Sequence, residues 1–200
     1  MIRLIFGSTF FYMNKASLRK QAIAERNSLS ESSCLEKSRL ICDHFFTGFD
    51  LNFIRTIHVF IPMTDRREPD LWLLIDRLRR EFPHIRLTIP RIKGEELESI
   101  YFEGLHQLKK NSIGILEPGQ GSETPVEKID LVLIPTLLAD HRGNRLGYGK
   151  GYYDRFLRSC RADCIRAGVS LLEQVEEIPA EPHDIRLTHL ITPSGVIRFE

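Results

Sequence analysis

The sequence predicts an α/β fold, a three-layer sandwich in which a mainly parallel central sheet is flanked by helices. The first observation is the alternation of strand-like and helix-like segments along the chain, which is typical of such sheets. The second is the run Leu131 to Pro135, whose unbroken apolar character is typical of a strand covered on both faces. A chain of 200 residues can bury about 70% of its extended surface, so we predict a single domain over 13–200.

Two helices are predicted to open this domain. Lys15 to Arg26 forms the first, which is rich in charge. Ser28 and Glu31 stand at the spacing of a capping box, so we expect the second helix to begin there. That helix places three residues on one face, which we expect to be buried: Cys34, Ile41 and Phe45.

A strand, a helix and a second strand follow in order. Thr56 to Pro62 predicts the first strand, and Ile85 to Pro90 predicts the second. Between them, four apolar residues recur at helical spacing: Leu71, Leu74, Ile75 and Leu78. This succession predicts a βαβ unit with parallel strands.

The rest of the chain adds shorter strands and one flexible loop. The strands are predicted at 100–102, 131–134, 167–171, 189–192 and 196–199. Gly119 to Pro125 is rich in glycine and polar residues, and we interpret it as a flexible loop that could act as a lid.

The cysteines favour reduced thiols over a metal site. Cys34, Cys42, Cys160 and Cys164 lie in segments interpreted as helices, and no pair has the Cys-x-x-Cys spacing. Cys160 and Cys164 would share a helix face and could hold half of a metal site, but no nearby histidine or thiol pair completes it. The pattern favours a reducing compartment, and we predict a cytoplasmic protein.

The formal net charge of +1 excludes a broad electrostatic attraction to nucleic acid or membranes. Residues 1–13 are apolar but too short to span a bilayer, and they lack an obvious cleavage site. We therefore predict a small-molecule ligand, no nucleic-acid or membrane partner, and a monomer.

The segment from Asp140 to Asp154 carries the chemical signal. Gly147, Gly149 and Gly151 alternate between the buried strand and the helix predicted over 152–157. Glycines let backbone N–H groups converge on one anion, and a helix N-terminus adds partial positive charge. Lys150 would supply a point charge to a phosphate, and Arg145 a forked one. A tight turn that binds nothing is the plain alternative.

Neither common phosphate motif fits this segment. A Walker A loop requires glycine and serine or threonine where Asn144 and Gly151 stand, and a dinucleotide fingerprint requires glycine where Tyr152 stands. The segment Arg145-Leu-Gly-Tyr-Gly-Lys-Gly-Tyr-Tyr-Asp154 instead resembles the signature of the 5-formyltetrahydrofolate cyclo-ligase family.

The resemblance extends along nearly the whole chain and in the same order. It includes Lys15-Ala-Ser-Leu-Arg19, Glu68 after the first strand, Gly114 to Pro118, and Ile178 to Asp184. Because family members begin shortly before the first of these elements, the resemblance indicates Met13 as a natural start and residues 1–12 as an N-terminal extension.

The resemblance implies an ATP-dependent cyclo-ligase of folate and one-carbon metabolism that uses Mg²⁺. ATP would phosphorylate the formyl oxygen of 5-formyltetrahydrofolate, N10 would attack the activated carbon, and phosphate would leave to give 5,10-methenyltetrahydrofolate. Lys150 and Arg145 would be catalytic. The implied ATP-binding residues are Lys15, Arg19, Arg145, Leu146, Gly147, Tyr148, Gly149, Lys150, Gly151, Tyr152 and Tyr153. The implied substrate-binding residues are Glu68, Tyr152 and Tyr153, and the implied metal ligands are Asp154 and Asp184.

Several of these residues have simpler explanations from the sequence alone. Lys15 and Arg19 would be a solvated helix face, Asp154 a complement to the helix dipole, and Asp184 a turn residue. Glu68 competes with the nearby Asp70 for the pterin, and either could be a surface charge. One of Tyr152 and Tyr153 is expected to stack on ligand while the other packs in the core, and the sequence does not distinguish them.

Other functions remain open at this point. The chain could be a non-catalytic nucleotide or folate-binding protein on the same fold. It could be an ATP-dependent enzyme acting on another formylated substrate, because Pro69 and Ala139 depart from the family pattern. RNA binding through basic pairs such as Arg79-Arg80 is disfavoured by the near-neutral charge.

Overall fold

The computed structural model describes residues 14–111 and 114–200, and the predicted extension with Met13 lies outside the described residues. Four α-helices lie within the described part: α1 (Lys15–Ser28), α2 (Glu31–Gly48), α3 (Trp72–Glu81) and α4 (Tyr152–Ser159). The strands are β1 (Thr56–His58), β2 (Arg86–Lys93), β3 (Glu96–Tyr101), β4 (Leu108–Lys110), β5 (Leu116–Pro118), β6 (Leu131–Pro135), β7 (Leu138–Ala139), β8 (Arg145–Leu146), β9 (Ile165–Val169), β10 (His189–Thr192) and β11 (Gly195–Arg198).

Seven of these strands form the central sheet, in the order β11-β10-β9-β6-β1-β2-β3. The inner pairs, from β10 through β9, β6 and β1 to β2, are all parallel. Both edge pairs, β2–β3 and β10–β11, are antiparallel. The predicted fold class is confirmed, and so is the βαβ unit, because α3 connects two parallel neighbours.

Strand β6 shows why the sheet needs helices on both faces. Leu131 and Leu133 belong to the core beneath α2 and α3, which also contains Phe45 and Leu74. Val132 belongs to the core on the opposite face, with Phe156 and Leu157 of α4. Each aliphatic side chain fully buried in this way contributes about 1.5–3 kcal/mol, which explains the unbroken apolar run.

Helix α1 packs away from the central sheet, against the small hairpin formed by β7 and β8. Ala22 of α1 shares a buried cluster with Leu138 and Leu146 of this hairpin and with Ile178. This contact brings the first described helix, and with it Lys15 and Arg19, beside the segment that follows β8.

The predicted capping box is wrong. Ser28 is the last residue of α1, and its hydroxyl donates to the carbonyl of Glu25. Ser30 caps α2 instead, with extended backbone and a side chain that accepts from the Ser33 N–H at 3.1 Å. Ser30, two residues after Ser28, accepts from a free N–H at the start of α2. The sequence therefore contained a helix-start signal, but the prediction assigned it to the wrong serine.

The structure also changes two expectations about local segments. Cys160 and Cys164 do not share a helix face, because α4 ends at Ser159 and the two cysteines flank the turn before β9. The loop predicted over 119–125 is attached to the edge of the sheet. The Tyr101 N–H donates to the Ser122 carbonyl at 2.9 Å, and the Thr124 N–H donates to the Ser99 carbonyl at 2.7 Å.

None of the described helices is both long enough and apolar enough to cross a membrane.

Candidate active site

A carboxylate holds the turn that leads into the glycine-rich segment. Asp140, which is fully buried, accepts hydrogen bonds from the N–H groups of Arg142 and Asn144 through one oxygen. Its other oxygen accepts from the Asn144 amide and from the Ile178 N–H. These bonds shape the β7–β8 hairpin, so residues 147–151, here called the glycine loop, leave β8 in a defined direction.

Two glycines of this loop have left-handed backbone. Gly149 has φ 86°, and a Cβ there would lie 3.1 Å from the guanidinium carbon of Arg19. Gly151 has φ 70° and immediately precedes the first turn of α4. Both conformations are costly for residues with a Cβ, so the loop requires glycine at these positions.

Lys150 of the loop and Arg19 of α1, both predicted to bind ATP, differ in their surroundings. The Lys150 side chain is exposed and makes no hydrogen bond or ion pair with the described residues. Arg19 donates from Nε to the Gly147 carbonyl at 2.8 Å and thereby anchors the loop to α1. Lys150 is therefore the cation that is free to meet an incoming anion.

Arg145 is already engaged. Its side chain is only 7% exposed, it donates to Asp154 at 2.7 Å, and it also donates to the Ile185 carbonyl. Asp154 accepts from the Ile185 N–H at 3.1 Å with the same oxygen. Burial lowers the pKa of Arg145, while Asp154 opposes that shift. The Arg145–Asp154 ion pair therefore links the start of α4 to the 181–185 segment through its bonds to Ile185.

A second ion pair joins that segment to α1. Lys15 donates to Asp184 at 2.6 Å and to Glu181 at 3.1 Å. Burial works to lower the pKa of Lys15, but the two carboxylates outweigh it and raise the pKa. Burial likewise works to raise the pKa of Asp184, but Lys15 and the Glu181 N–H outweigh it and lower the pKa.

The two predicted metal ligands therefore lie on adjoining elements. Asp154 is bonded to the N–H of Ile185, the residue after Asp184. The donor atoms of Glu181, His183 and Asp184 lie within 4.8 Å of one another. Carboxylate oxygens are the ligands that Mg²⁺ prefers, so the donor chemistry fits the ion, although Lys15 and Arg145 now hold these carboxylates.

Glu68 is buried in the β1–α3 connection, where Arg66 packs against the Tyr148 ring of the glycine loop, and the buried surroundings of Glu68 are here called the Glu68 recess. Glu68 is 4% exposed, and Oε2 accepts from the Met63 N–H at 2.9 Å. Oε1 is buried and has no hydrogen-bond partner among the described residues. Burial raises the pKa of Glu68, against the opposing effects of the Met63 N–H and Tyr148. Asp70, in contrast, accepts from the Trp72 N–H at the start of α3.

The two tyrosines that the sequence did not separate now differ clearly. The Tyr153 ring packs against the rings of Phe156 and His58, with centroids 6.4 and 6.3 Å away. Its hydroxyl is buried and has no partner among the described residues. The Tyr152 hydroxyl lies 3.4 Å from the Gly94 carbonyl, and the Arg155 guanidinium lies over its ring. Tyr153 is therefore the core-packing residue, with a polar tip available to a ligand.

The sequence interpretation did not include three polar residues of this region. Arg26 of α1 is 3% exposed and donates to the Tyr148 hydroxyl at 2.6 Å. Its spacing of seven residues from Arg19, two helical turns, would have placed it on the same face. Arg67 has φ 50° and a buried Nη1 without a partner among the described residues. His58, in the middle of the sheet, shares Nδ1 with Thr88 and Ser99, and burial lowers its pKa to about 3.

Two surface cavities occur elsewhere, with volumes of about 440 and 290 Å³. The first lies beside Arg142 and Phe199, and the second beside Arg79 and Tyr101. Neither contains a predicted site residue. The glycine loop and the Glu68 recess are better candidates for the ligand site than these two cavities. Together they combine buried polar atoms that have no hydrogen-bond partner among the described residues with the N-terminus of α4.

Comparison with known proteins decides the family. A model described as the 5-formyltetrahydrofolate cyclo-ligase family matches residues 12–193. This chain belongs to that family. The predicted family and the predicted enzyme class, a ligase, are confirmed.

Individual cyclo-ligases of the family are similar over nearly their whole length. The 5-formyltetrahydrofolate cyclo-ligase of Mycolicibacterium smegmatis is 30% identical over 192 residues, which cover 92% of this chain and 96% of that protein. The cyclo-ligase of Escherichia coli is 29% identical over 186 residues, covering 86% and 96%. The NMR structure of 5,10-methenyltetrahydrofolate synthetase from Aquifex aeolicus has a TM-score of 0.78 at 26% identity and covers 94% of each chain. The family match over residues 12–193 includes every element of the candidate site.

Proposed function

We propose that this cyclo-ligase converts 5-formyltetrahydrofolate to 5,10-methenyltetrahydrofolate with consumption of ATP. Family membership supports the reaction class. The observation that carries the proposal is a glycine loop with an exposed cation, Lys150, whose Tyr148 ring packs against Arg66 of the same β1–α3 connection that carries the buried Glu68. A phosphate-binding element and a polar heterocycle site are thereby adjacent.

The chemistry requires positioning and charge neutralisation. The formyl oxygen attacks the γ-phosphorus, and the bond to ADP breaks. N10 then attacks the formyl carbon and loses its proton, and the phosphorylated oxygen leaves as inorganic phosphate. A formyl oxygen on nitrogen is a poor nucleophile and a poor leaving group, so the enzyme must align the two reactants and stabilise the moving charge.

The residues of the loop suit these tasks. The N–H groups of residues 147–151 and the N-terminus of α4 would bind phosphate oxygens, with Leu146 packed below them in the core. Lys150 would neutralise charge on the transferred phosphate. Lys15, Arg19 and Arg145 would complete the nucleotide site, the first and last after exchanging their carboxylate partners for phosphate. Tyr152, half-buried beside the loop, would contact the nucleotide or the outer part of the folate.

The carboxylates released by this exchange would hold Mg²⁺. Asp154 and Asp184 are the proposed ligands, and the ion would supply charge neutralisation to the phosphates when bound. In the recess, Glu68 would accept hydrogen bonds from the amino group and ring N–H of the pterin, and the Tyr153 hydroxyl would contribute a further polar contact.

An absorbance assay of the methenyl product tests the proposal. Turnover is expected only when ATP, Mg²⁺ and 5-formyltetrahydrofolate are all present. Absence of product from folded protein, together with no binding of Mg·ATP by calorimetry, would contradict it. Phosphate release with a different formylated amide, but none with 5-formyltetrahydrofolate, would assign another substrate.

A further inference from the structure

Arg66 is an exposed cation in the β1–α3 connection, and the predicted nucleotide and folate contacts do not include it. Glu68 closes this connection into a turn, because its carboxylate accepts from the Met63 N–H at 2.9 Å and its N–H donates to the Met63 carbonyl at 3.4 Å. The Arg66 N–H donates to the same carbonyl at 3.0 Å. Arg67 follows with left-handed backbone, φ 50°, which is costly for a residue with a Cβ. Arg66 therefore lies in a tight turn of defined geometry, two residues before Glu68.

The Arg66 side chain extends from this turn to the glycine loop. Its guanidinium carbon lies 5.6 Å from the ring centroid of Tyr148, which is within the range of a cation–π contact. A guanidinium that stacks on a ring by its face still presents N–H groups at its edges, where they can bind an anion in a forked geometry. The contact therefore places a forked cation beside the loop that is proposed to bind phosphate.

The donors of Arg66 are not used within the protein. Among the residues that the structure describes, the Arg66 side chain has no hydrogen bond and no ion pair. Arg26, which lies 5.4 Å from the same ring centroid, is buried and donates to the Tyr148 hydroxyl at 2.6 Å. Arginine can only donate, so the free N–H groups of Arg66 require an acceptor, and its charge favours an anion. Arg26 thus holds the tyrosine, while Arg66 is available to a ligand.

The position of Arg66 suits one step of the proposed reaction. Arg66 belongs to the turn that Glu68 closes, and it stacks on a residue of the glycine loop, so it joins the two elements between which the phosphoryl group would move. In that step the formyl oxygen forms a bond to the γ-phosphorus as the bond to ADP breaks, and negative charge shifts between them.

We infer that Arg66 is a catalytic residue that binds the transferred phosphoryl group and neutralises its charge. Arg66 remains protonated throughout and contributes only hydrogen bonds and charge. The inference rests on the proposed function, because it assigns the nucleotide to the glycine loop and the pterin to Glu68. It extends the transfer machinery to the β1–α3 connection, beyond Lys150 and Arg145.

The test is Arg66→Gln, which removes the charge at an exposed position. Methenyl formation is measured at saturating substrates, and ADP formation is measured in a single turnover by rapid quench. We expect both rates to fall about tenfold, because a charge-assisted hydrogen bond to the moving group is lost. The affinity for Mg·ADP, which lacks that group, should change by less than about twofold. Arg66→Lys keeps the charge but loses the planar fork, so its rates should fall only about threefold.

Arg198→Gln is the matched control, because Arg198 is an exposed arginine on β11, at the far edge of the sheet, and its rates should equal those of the wild type. A single-turnover rate of Arg66→Gln within about twofold of wild type would overturn the inference. A loss of Mg·ADP affinity of about tenfold would also overturn it, since Arg66 would then be a general nucleotide contact. Both results would leave the proposed function intact. Absence of methenyl product from folded wild-type protein would overturn the proposed function and this inference with it.

Discussion

The two halves of the candidate site differ in whether their polar groups already have partners within the protein. Around the glycine loop, charges are paired with one another: Lys15 with Asp184, and Arg145 with Asp154. Near Glu68, two buried polar atoms have no hydrogen-bond partner among the described residues: Glu68 Oε1 and the Tyr153 hydroxyl. The charges of the first half have partners before a ligand arrives, whereas these two atoms do not.

This difference indicates what each half contributes on binding. In the proposed function, phosphate would have to replace the carboxylate partners of Lys15 and Arg145, so the net gain from each of these contacts would be moderate. An unpaired buried atom has already lost its hydration, so a ligand that completes its hydrogen bond recovers about 1–3 kcal/mol. Lys150, exposed and unpaired within the described chain, is the exception in the glycine loop.

The largest expected effect therefore follows from Lys150→Ala. The free cation has no alternative partner to release, and loss of its charge-assisted hydrogen bonds should cost about 1.5–3 kcal/mol each, or roughly ten- to a hundred-fold in rate. The measurement is steady-state methenyl formation at saturating substrates. Lys128→Ala, an exposed lysine remote from the loop, should retain full rate. Activity of Lys150→Ala within twofold of wild type would contradict a role for Lys150 in catalysis.

A somewhat smaller effect is expected from Glu68→Gln, which keeps the shape of the side chain and removes its charge. Replacing a carboxylate acceptor by an amide should weaken 5-formyltetrahydrofolate binding by about tenfold, because one charged hydrogen bond becomes a neutral or mismatched one. Nucleotide affinity measured alone should stay unchanged. Glu123→Gln, an exposed glutamate in the 119–125 segment, is the control. Unchanged folate affinity would place the pterin outside the recess.

The smallest effects concern stability, and they should have opposite pH dependence in the two halves. The pKa of Asp184 is lowered, so its pairing with Lys15 stabilises the fold above its ordinary pKa of 3.8 and is lost as pH falls below that value. Asp184→Asn should therefore reduce the free energy of unfolding by at most about 1 kcal/mol at neutral pH, and by less as the pH falls.

The pKa of Glu68 is raised, so the native state favours its protonated form. Its stabilising contribution is complete below its ordinary pKa of 4.5 and is lost as pH rises above it. Glu68→Gln should therefore gain stability relative to wild type as the pH rises from 4 to 8. Urea unfolding of both variants from below pH 3.8 up to pH 8 covers both ionisations, and the same dependence on pH in the two variants would contradict the contrast between the two halves.

Local patterns in the sequence predicted the parts of the structure that depend on chain neighbours. The apolar run of β6, the βαβ unit and the glycine loop before α4 all have short-range signals. The ion-pair partners of the charged residues could not be predicted from local sequence patterns. Lys15 and Asp184 are 169 positions apart, and the Arg145–Asp154 pair is completed by Ile185, which is distant from both in the sequence.

Local sequence patterns also did not predict the burial of Glu68. A glutamate next to a proline and two arginines is typical of a surface turn, and only the packing of the glycine loop and α1 around it removes it from water. The misplaced capping box shows the same limit at short range. Ser28 and Ser30 are chemically equivalent caps, and the choice between them depends on where α1 stops.

The attachment of the 119–125 segment to β3 has a consequence for how copies of the protein meet. β3 is the outermost strand on its side of the sheet, and an uncovered outermost strand invites pairing with another molecule. The bonds of Ser122 and Thr124 occupy part of that edge. Damage to this segment would first be seen as aggregation at high concentration.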